Sequence, residues 1–508
     1  MIHSVGFRFW FYPSLILFVL LLVQGATVGL TDDEAYYWVL AQKPALGYAF
    51  HPPAVAWLLA FVERIFSSFN FFTPTAGLVR LPAAFLAAGI LGLALTWLKD
   101  TGVDSKDNFF CMAILVSFAG LFALSWMIVP DLPLFFGITL GFKYCWKVCS
   151  GSESGFDRAM IALGMTIAAL SKYSGILAAG SAVLSILIWT KNSNRWRCIF
   201  WVLAGTAVGF LPALIWNFNH DWSSLLYQIR ERHGDMDISF ARYARFWLVE
   251  ILLAGPVLMA AGIILLLKKG IRFGKEPSIY SYCLIWFLPA AAVFCFQPLF
   301  ADFKPHWAFA AWWPLTMMLT WACAIGGKMI RLIGSIQAGY GIALVLLIIS
   351  STHFPLGSLA VEYVSGSVSD PKIDVTNDLY GWQDLKSFLE HKLGKEAFAL
   401  PLVGSRYQTA SQAAFNLRAA GAKGAQVTLL PRDIKARDEW PDFEVTDSTG
   451  PEWPRLAKPV LFVADNRYSS GPQFLSSKCE KIGRLEKQRW RYLAKWIDIW
   501  RCEPLRVN

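Results

Sequence analysis

The side chains with the clearest capacity for chemistry lie near the start of the chain, between Thr31 and Pro53. Three consecutive carboxylates, Asp32, Asp33 and Glu34, follow the first long apolar segment, Phe11–Leu30. A carboxylate beside the exit of a membrane span can accept a proton or orient a hydroxyl group. A solvated loop carries the same residue types without chemistry, so this stretch alone leaves both interpretations open.

Aromatic side chains follow the carboxylates at Tyr36, Tyr37 and Trp38, and the stretch closes on His51-Pro52-Pro53. Amphipathic rings prefer the headgroup level of a bilayer. We therefore expect Tyr36 and Tyr37 to contact a lipid-borne sugar or acceptor, although an aromatic belt without a ligand has the same composition.

Composition indicates a membrane protein. Of the 508 residues, 56% are hydrophobic and 16% are charged, whereas about a quarter are charged in soluble proteins. The apolar residues occur in blocks of about twenty, the length that crosses a bilayer. The net charge of +10 comes from cations in short loops between these blocks, which is typical of cytoplasmic loops and not of nucleic-acid binding.

About eleven membrane-spanning helices are expected, and up to thirteen. Short basic loops alternate with connections that hold most of the acidic and histidine residues, so the latter face outward. Residues 158–190 fit either one long helix or two short ones, and the charge bias favours two. The expected spans are roughly 11–30, 77–98, 108–128, 131–149, 158–171, 173–190, 197–217, 246–267, 280–297, 307–325 and 332–352.

Two domains are expected. Residues 1–354 form the transmembrane domain, with an external first loop at 31–76 that includes an interfacial helix at 53–72. Residues 355–508 alternate strand-like and helix-like patterns, which predicts a small periplasmic α/β domain. Cys479 and Cys502 lie in this tail and would form a disulfide if the tail is outside the cytoplasm.

This topology gathers ionisable side chains at one membrane face. Singly, Asp131 is equally well explained as a helix N-cap and Lys172 as a lysine that reaches the interface. Together, a carboxylate base and cations suit group transfer from a lipid-linked phosphate, whose departing charge the cations stabilise. The gathered residues are Asp33, Glu34, His51, Asp131, Lys172, Arg230, Arg232, His233, Lys304 and His306.

Several motifs resemble the GT-C glycosyltransferases of the PMT/ArnT type (glycosyltransferase family 39-like), which include protein O-mannosyltransferases and bacterial lipid A glycosyltransferases. In the tail, DLYGWQDL (378–385) and SRYQTASQAAF (405–415) are similar to bacterial members with a periplasmic domain. The membrane-domain motifs are DEAYYW (33–38), GYAFHPP (47–53), VPDLPLFF (129–136), LSKYSGIL (170–177), WNFNHDW (216–222) and KPHWAFAAW (304–312).

The resemblance implies a GT-C fold, a polyprenyl-phosphate-linked sugar donor and a catalytic carboxylate at Asp33, with Asp131 as the second acidic motif. Tyr173 and His306 join Tyr36 and Tyr37 as expected contacts of sugar or acceptor. The chain departs from the aminoarabinose transferases at Phe50-His51, where they carry Glu-Lys. The phosphate contacts then pass to His51, Lys172, Arg230, Arg232 and Lys304.

The missing glutamate of that Glu-Lys pair is the residue linked to metal contact, so a divalent metal has weak support and its ligands stay unassigned. The expected function is transfer of a sugar from an undecaprenyl-phosphate donor to lipid A, lipopolysaccharide or another envelope acceptor, at the periplasmic face of the bacterial inner membrane.

Three alternatives remain open at this point: a protein O-glycosyltransferase of the same fold, a non-enzymatic transporter or flippase of lipid-linked sugars, and a structural or sensor protein whose external domain binds envelope glycan. A transporter needs polar residues spread through the depth of the bilayer. Span interiors here are almost free of charge apart from Glu250, which favours an enzyme.

Overall fold

Two compact units make up the chain in the computed structural model. The first consists of Met1–Leu22, Ala45–Val55 and Ala83–Leu346, and the second of Val23–Pro44, Ala56–Pro82 and Leu347–Asn508. The second unit thus groups much of the predicted external loop 31–76 with the tail, and the domain division at residue 354 stays a prediction. The described residues are 2–68, 73–231, 237–269, 274–368, 370–422, 424–429, 459–469, 471–472 and 478–503.

Helices occupy the positions of all eleven expected spans, as in a multi-pass membrane protein. Two of those positions hold a pair of helices separated by a short break. In chain order the helices are Ile2–Ala26, Leu81–Asp100, Asn108–Val116 with Ala119–Ser125, Asp131–Cys149, Gly155–Ser171, Gly175–Trp189, Asn192–Phe218, Phe240–Ala254 with Pro256–Lys269, Ile279–Phe294, Phe309–Ile325 and Lys328–His353.

In the described part of the chain, four helices are long and apolar enough to span a membrane. The number is six when each bent pair of helices counts as one span. The pairs bend by 85° and 94°. In the second pair the break is at Gly255, whose φ of 102° favours glycine. Pro256 follows and lacks the N–H that would continue the helix. The exact number of spans stays a prediction.

Glycines bring the helices Asp131–Cys149 and Gly155–Ser171 into close contact. A Cβ atom on Gly137 would lie 2.6 Å from the backbone nitrogen of Ala168, and one on Gly164 would lie 2.6 Å from that of Gly141. In lipid, small residues of this kind let two backbones approach. Because the helices run antiparallel across a short connection, the start of the first and the end of the second lie at the same end of the pair.

A break at Lys172 separates the helix Gly155–Ser171 from Gly175–Trp189. Lys172 has extended dihedral angles, φ −150° and ψ 150°, and caps the first helix. Residues 158–190 therefore form two helices, as the charge bias predicted. The break places Lys172 at a helix end and not within a continuous helix.

Helices also occupy the segment that the sequence predicts to be the first external loop. Asp32–Ala41 and Ala54–Ser67 are both helical. The second confirms the helix predicted at 53–72 as far as Ser67, whereas residues 69–72 lie outside the described part of the chain. Its position along the membrane surface stays a prediction.

A five-stranded sheet forms the core of the tail, in the order β2-β1-β3-β5-β4. β1 is parallel to β2 and β3, and β5 is antiparallel to β3 and β4. The helix Tyr407–Ala419 connects β1 to β2, which confirms the predicted α/β character. The strands are β1 (Leu402–Gly404), β2 (Val427–Leu429), β3 (Val460–Asp465), β4 (Cys479–Arg489) and β5 (Tyr492–Cys502).

Cys479 and Cys502 form a disulfide between paired positions at the ends of β4 and β5. The other seven cysteines are buried thiols. Disulfides persist in oxidising compartments.

In protein purified from membranes without reductant and then denatured, we expect maleimide to label the seven thiols, and all nine cysteines only after reduction. Nine labels before reduction would place the tail in a reducing compartment.

Candidate active site

An ion cluster of Asp131, Lys172 and His306 lies in the first unit. Lys172 Nζ donates to Asp131 Oδ1 at 2.9 Å, and His306 Nε2 lies 3.7 Å from Asp131 Oδ2. Asp131 and Lys172 are only 4% and 8% exposed, so each charge depends on its partner. The structure thus brings together three of the residues that the sequence assigned to a site.

A cavity of about 150 Å³ borders this cluster. His51, Tyr173 and Gln228 add polar groups to its lining. Gln228 Nε2 donates to the Phe50 carbonyl oxygen at 2.6 Å, which anchors the backbone beside His51. The rest of the wall is mainly apolar and includes Phe135, Ile138, Leu177, Trp286, Val293 and Phe294. The cavity therefore combines the Lys172 ammonium and other polar groups with hydrocarbon.

Tyr173 is held by the WNFNHDW motif (216–222). Asn217 Nδ2 donates to Tyr173 Oη at 3.0 Å, and Asn217 Oδ1 accepts from the Leu225 backbone N–H at 3.1 Å. Tyr173 Oη also lies 3.0 Å from Ser224 Oγ. Asn217 is fully buried, so it ties the connection after its own helix to the tyrosine at the cavity.

The structure describes the positions of the other predicted cations only in part. Arg230 lies in the short helix Tyr227–Glu231, but its side chain is outside the described part of the structure, as is Arg232. Lys304 is exposed and precedes the short helix Pro305–Trp307, which carries His306. Their phosphate-binding roles stay predictions.

Asp33 lies in the second unit, in the first turn of the helix Asp32–Ala41. This helix begins with a capping box, in which Glu34 N–H donates to Thr31 Oγ1 at 3.3 Å and Thr31 N–H donates to Glu34 Oε2 at 3.0 Å. Asp33 is exposed. Its expected meeting with Asp131 and Lys172, which belong to the first unit, stays a prediction.

Glu34 forms a buried ion pair with Arg80. Arg80 Nε and Nη2 donate to the two carboxylate oxygens at 2.8 and 2.6 Å, and the side chains are 0% and 1% exposed. The remaining Arg80 donors bond the carbonyl oxygens of Gly25, Val28 and Gly29. These are the contacts of a structural residue, and the catalytic role of Glu34 stays untested.

Tyr36 and Tyr37 are buried, at 3% and 8% exposure. The Tyr36 ring lies 4.7 Å from that of Tyr407, and Trp38 contacts Phe415 edge-on at 5.2 Å. The helix Asp32–Ala41 thus packs its rings against the helix Tyr407–Ala419 in the same unit. Contact of these two tyrosines with sugar stays a prediction.

The donor set does not fit a metal centre. Among the described residues, no group of three or more His, Cys, Asp or Glu side chains is arranged to hold a metal ion. At the cluster, the Lys172 ammonium already occupies one oxygen of Asp131. We therefore derive no step through a metal.

Two residues of these networks were not singled out from the sequence. Arg80 had a signal, because it is a cation inside the expected span 77–98 and such charges are costly in a bilayer. Asn217 lies within a quoted motif, but no single-chain pattern indicates which partner a buried amide contacts.

Known proteins resemble the chain in sequence and in fold. No family model matches the chain. Lipid A galacturonosyltransferase RgtD of Rhizobium johnstonii is 23% identical over 293 residues, which cover 57% of the chain and 59% of that relative. The match therefore spans less than two thirds of the relative.

Solved structures match over nearly the whole chain. ArnT from Cupriavidus metallidurans bound to undecaprenyl phosphate superposes with a TM-score of 0.61 at 13% identity, covering 96% of this chain and 98% of ArnT. The apo form of that ArnT gives 0.59 at 13% identity, covering 96% and 97%. The motif-based resemblance is thereby confirmed, and the chain has the fold of the ArnT-type GT-C membrane glycosyltransferases.

Proposed function

We propose that the chain transfers a sugar from an undecaprenyl-phosphate-linked donor to lipid A or another envelope acceptor. The observation that carries the proposal is the Asp131–Lys172–His306 cluster on a cavity with an apolar wall. A prenyl phosphate fits both features, because its phosphate complements the Lys172 ammonium and its hydrocarbon chain complements the apolar wall. The names of the relatives, a lipid A galacturonosyltransferase and an ArnT bound to undecaprenyl phosphate, support this class of donor and acceptor.

The cavity suits the head of such a donor. A volume of about 150 Å³ is far above the ~10–15 Å³ that a single water molecule needs. It accommodates a phosphate and the first part of a chain, and the remainder of the lipid lies in the bilayer. The Lys172 ammonium has three N–H donors, so its bond to Asp131 leaves donors for phosphate oxygens.

The transfer needs a base and a stabilised leaving group. The acceptor hydroxyl attacks the anomeric carbon while Asp33 takes its proton. The bond from that carbon to the phosphate oxygen breaks, its electron pair goes to the phosphate, and Lys172 with His306 stabilises the charge. Attack opposite the leaving phosphate inverts the anomeric configuration. The exposure of Asp33 allows an acceptor to reach it.

For the location we propose the bacterial inner membrane, with the site and the tail on the periplasmic side. The alternation of basic and acidic connections supports this orientation. The disulfide between Cys479 and Cys502 supports an oxidising compartment for the tail.

Mass spectrometry of lipid A and core from cells with and without the gene tests the function. We expect a species heavier by one sugar only in cells that carry it. An unchanged lipid A with a modified envelope protein would instead identify a protein glycosyltransferase. Purified protein with donor and lipid A in one detergent micelle separates catalysis from transport, because a flippase forms no glycosylated product there.

Lys172→Gln tests the phosphate contact. A hydrogen bond to a charged group contributes about 1.5–3 kcal/mol, so we expect kcat/KM for the donor to fall about 10- to 100-fold. Lys172→Arg keeps the charge and should retain much more activity. Lys191→Gln, at an exposed helix N-cap, is the control. Equal donor kinetics in Lys172→Gln and Lys191→Gln would remove Lys172 from the site.

A further inference from the structure

Gln412, in the tail motif 405–415, binds the backbone and side chain just before Asp33. Its Nε2 donates to the Leu30 carbonyl oxygen at 2.9 Å and to Asp32 Oδ1 at 3.0 Å. Gln412 is 1% exposed, and Asn416 Nδ2 donates to its Oε1 at 3.2 Å. Because Asn416 occupies the amide oxygen, the Gln412 NH₂ group is directed at the Leu30–Asp32 segment.

The other tail motif, 378–385, lies in close contact with Gly29. A Cβ atom on Gly29 would lie 2.4 Å from the Leu379 carbonyl oxygen and 2.0 Å from Gln383 Nε2. Gln383 Nε2 also donates to that same carbonyl at 3.0 Å. Only glycine permits this approach, so the backbone at residue 29 is held directly against the tail.

Lys495 is the centre of an ion cluster in the tail. Lys495 Nζ is 3.0 Å from Asp465 Oδ2 and 3.3 Å from Asp378 Oδ1, and Arg467 Nε donates to Asp378 at 2.6 Å. Lys495 is fully buried. Burial lowers its pKa, but Asp465, Asp32 and Asp378 together raise it above the ordinary value.

Asp32 belongs electrostatically to the same cluster. Burial raises its pKa to about 7, opposed by Lys495 and by the hydrogen bond from Gln412, while Asp378 and Asp465 add to the rise. The buried lysine and the carboxylates thus act on the residue that precedes Asp33 in the chain. Two tail motifs therefore contact residues 29–32, and the buried lysine acts on Asp32 electrostatically.

We propose that Gln412 and Gln383, called here the tail clamp, are positioning residues that fix Asp33 for proton transfer, so that the tail is part of the catalytic apparatus. The proposal rests on the proposed function, in which Asp33 is the base. Asp33 follows the clamped segment at once and lies in the first turn of a capped helix. A base displaced by about 1 Å loses on the order of 10²-fold in rate.

Gln412→Met tests the clamp, because methionine fills a similar volume without the two hydrogen bonds. We expect kcat to fall about 10- to 100-fold with the donor KM unchanged within about twofold, since the donor cavity lies in the first unit. Gln488→Met, at an exposed position of β4, is the matched control and should keep parental kcat.

A double-mutant cycle with Asp33→Asn separates positioning from general loss of structure. If Gln412 acts through Asp33, Gln412→Met should reduce the residual activity of Asp33→Asn by less than about twofold. The same loss in both backgrounds would show that Gln412 acts elsewhere and would overturn the clamp. Full activity of Gln412→Met beside an impaired Asp33→Asn would overturn the clamp alone. Full activity of Asp33→Asn would reject the proposed base itself.

Gly29→Ala is an independent test that leaves every polar clamp residue in place. The added Cβ would displace the backbone from Leu379, so we expect the same selective loss of kcat. Gly339→Ala is its control, because no atom lies within 4 Å of the added Cβ on that helix. Equal kcat in Gly29→Ala and Gly339→Ala would contradict tight positioning by the tail.

Discussion

Sugar transfer by the Asp33→Asn protein is expected to fall about 10²- to 10⁴-fold, the contribution of a positioned general base. Asparagine has nearly the same shape as aspartate but cannot accept the hydroxyl proton at neutral pH. Asp33 is exposed at the start of its helix, so the substitution removes no side chain from the core. The loss should therefore appear in kcat without a change in thermal stability.

The measurement is the rate of product formation by purified protein with saturating donor and acceptor. Asp104→Asn provides the control, because Asp104 is also an exposed aspartate at the start of a helical turn, where it pairs with the exposed Lys106. We expect parental rates from that variant. Equal rates in the two proteins would remove Asp33 from the mechanism.

The membrane helices could be predicted because their signal is local. Most expected spans are runs of apolar residues close to the length that crosses a bilayer, and each expected span coincides with a helix or a helix pair. The break at Lys172 was predictable from charge, since one continuous helix would have reversed the sides of later basic loops. The bend at Gly255–Pro256 was missed because hydropathy does not register backbone direction.

The surroundings of Asp33 could not be predicted in the same way. The sequence of residues 31–53 predicts a polar loop whose aromatic rings contact a ligand. In the structure Asp32–Ala41 is a helix, and its aromatic rings are buried. Its partner is the helix Tyr407–Ala419, and Gln412 is 380 residues from Asp32 in the chain. Such pairing leaves no periodicity in one sequence, so the contact is visible only in the folded chain.

The hairpin β4–β5 was missed for another reason. Its first strand, Cys479–Arg489, alternates exposed charged residues with partly buried ones at the edge of the sheet. An edge strand with one solvated face needs few apolar residues. Lys495 in the second strand is fully buried, and its charge is tolerated because carboxylates surround it.

Replacing Arg80 by methionine is expected to destabilise the second unit by about 3–5 kcal/mol, the cost of leaving one partner of a buried ion pair alone. All five Arg80 N–H donors have acceptors, two on Glu34 and three on carbonyl oxygens of residues 25, 28 and 29. Lysine has three donors and no planar fork, so Arg80→Lys should recover only part of the stability. The thermal unfolding midpoint in detergent measures both.

Arg64→Met is the matched control, since Arg64 is exposed, and its midpoint should equal that of the parent. The double variant Arg80→Met with Glu34→Gln identifies the cause of the loss. It leaves no buried charge, and the glutamine can still accept the capping bond from Thr31 N–H. If the unpaired carboxylate causes the loss, the double variant should be more stable than Arg80→Met alone. A less stable double variant would instead attribute the loss to the three carbonyl oxygens, and Arg80 would then serve chiefly to tie the chain between Gly25 and Gly29.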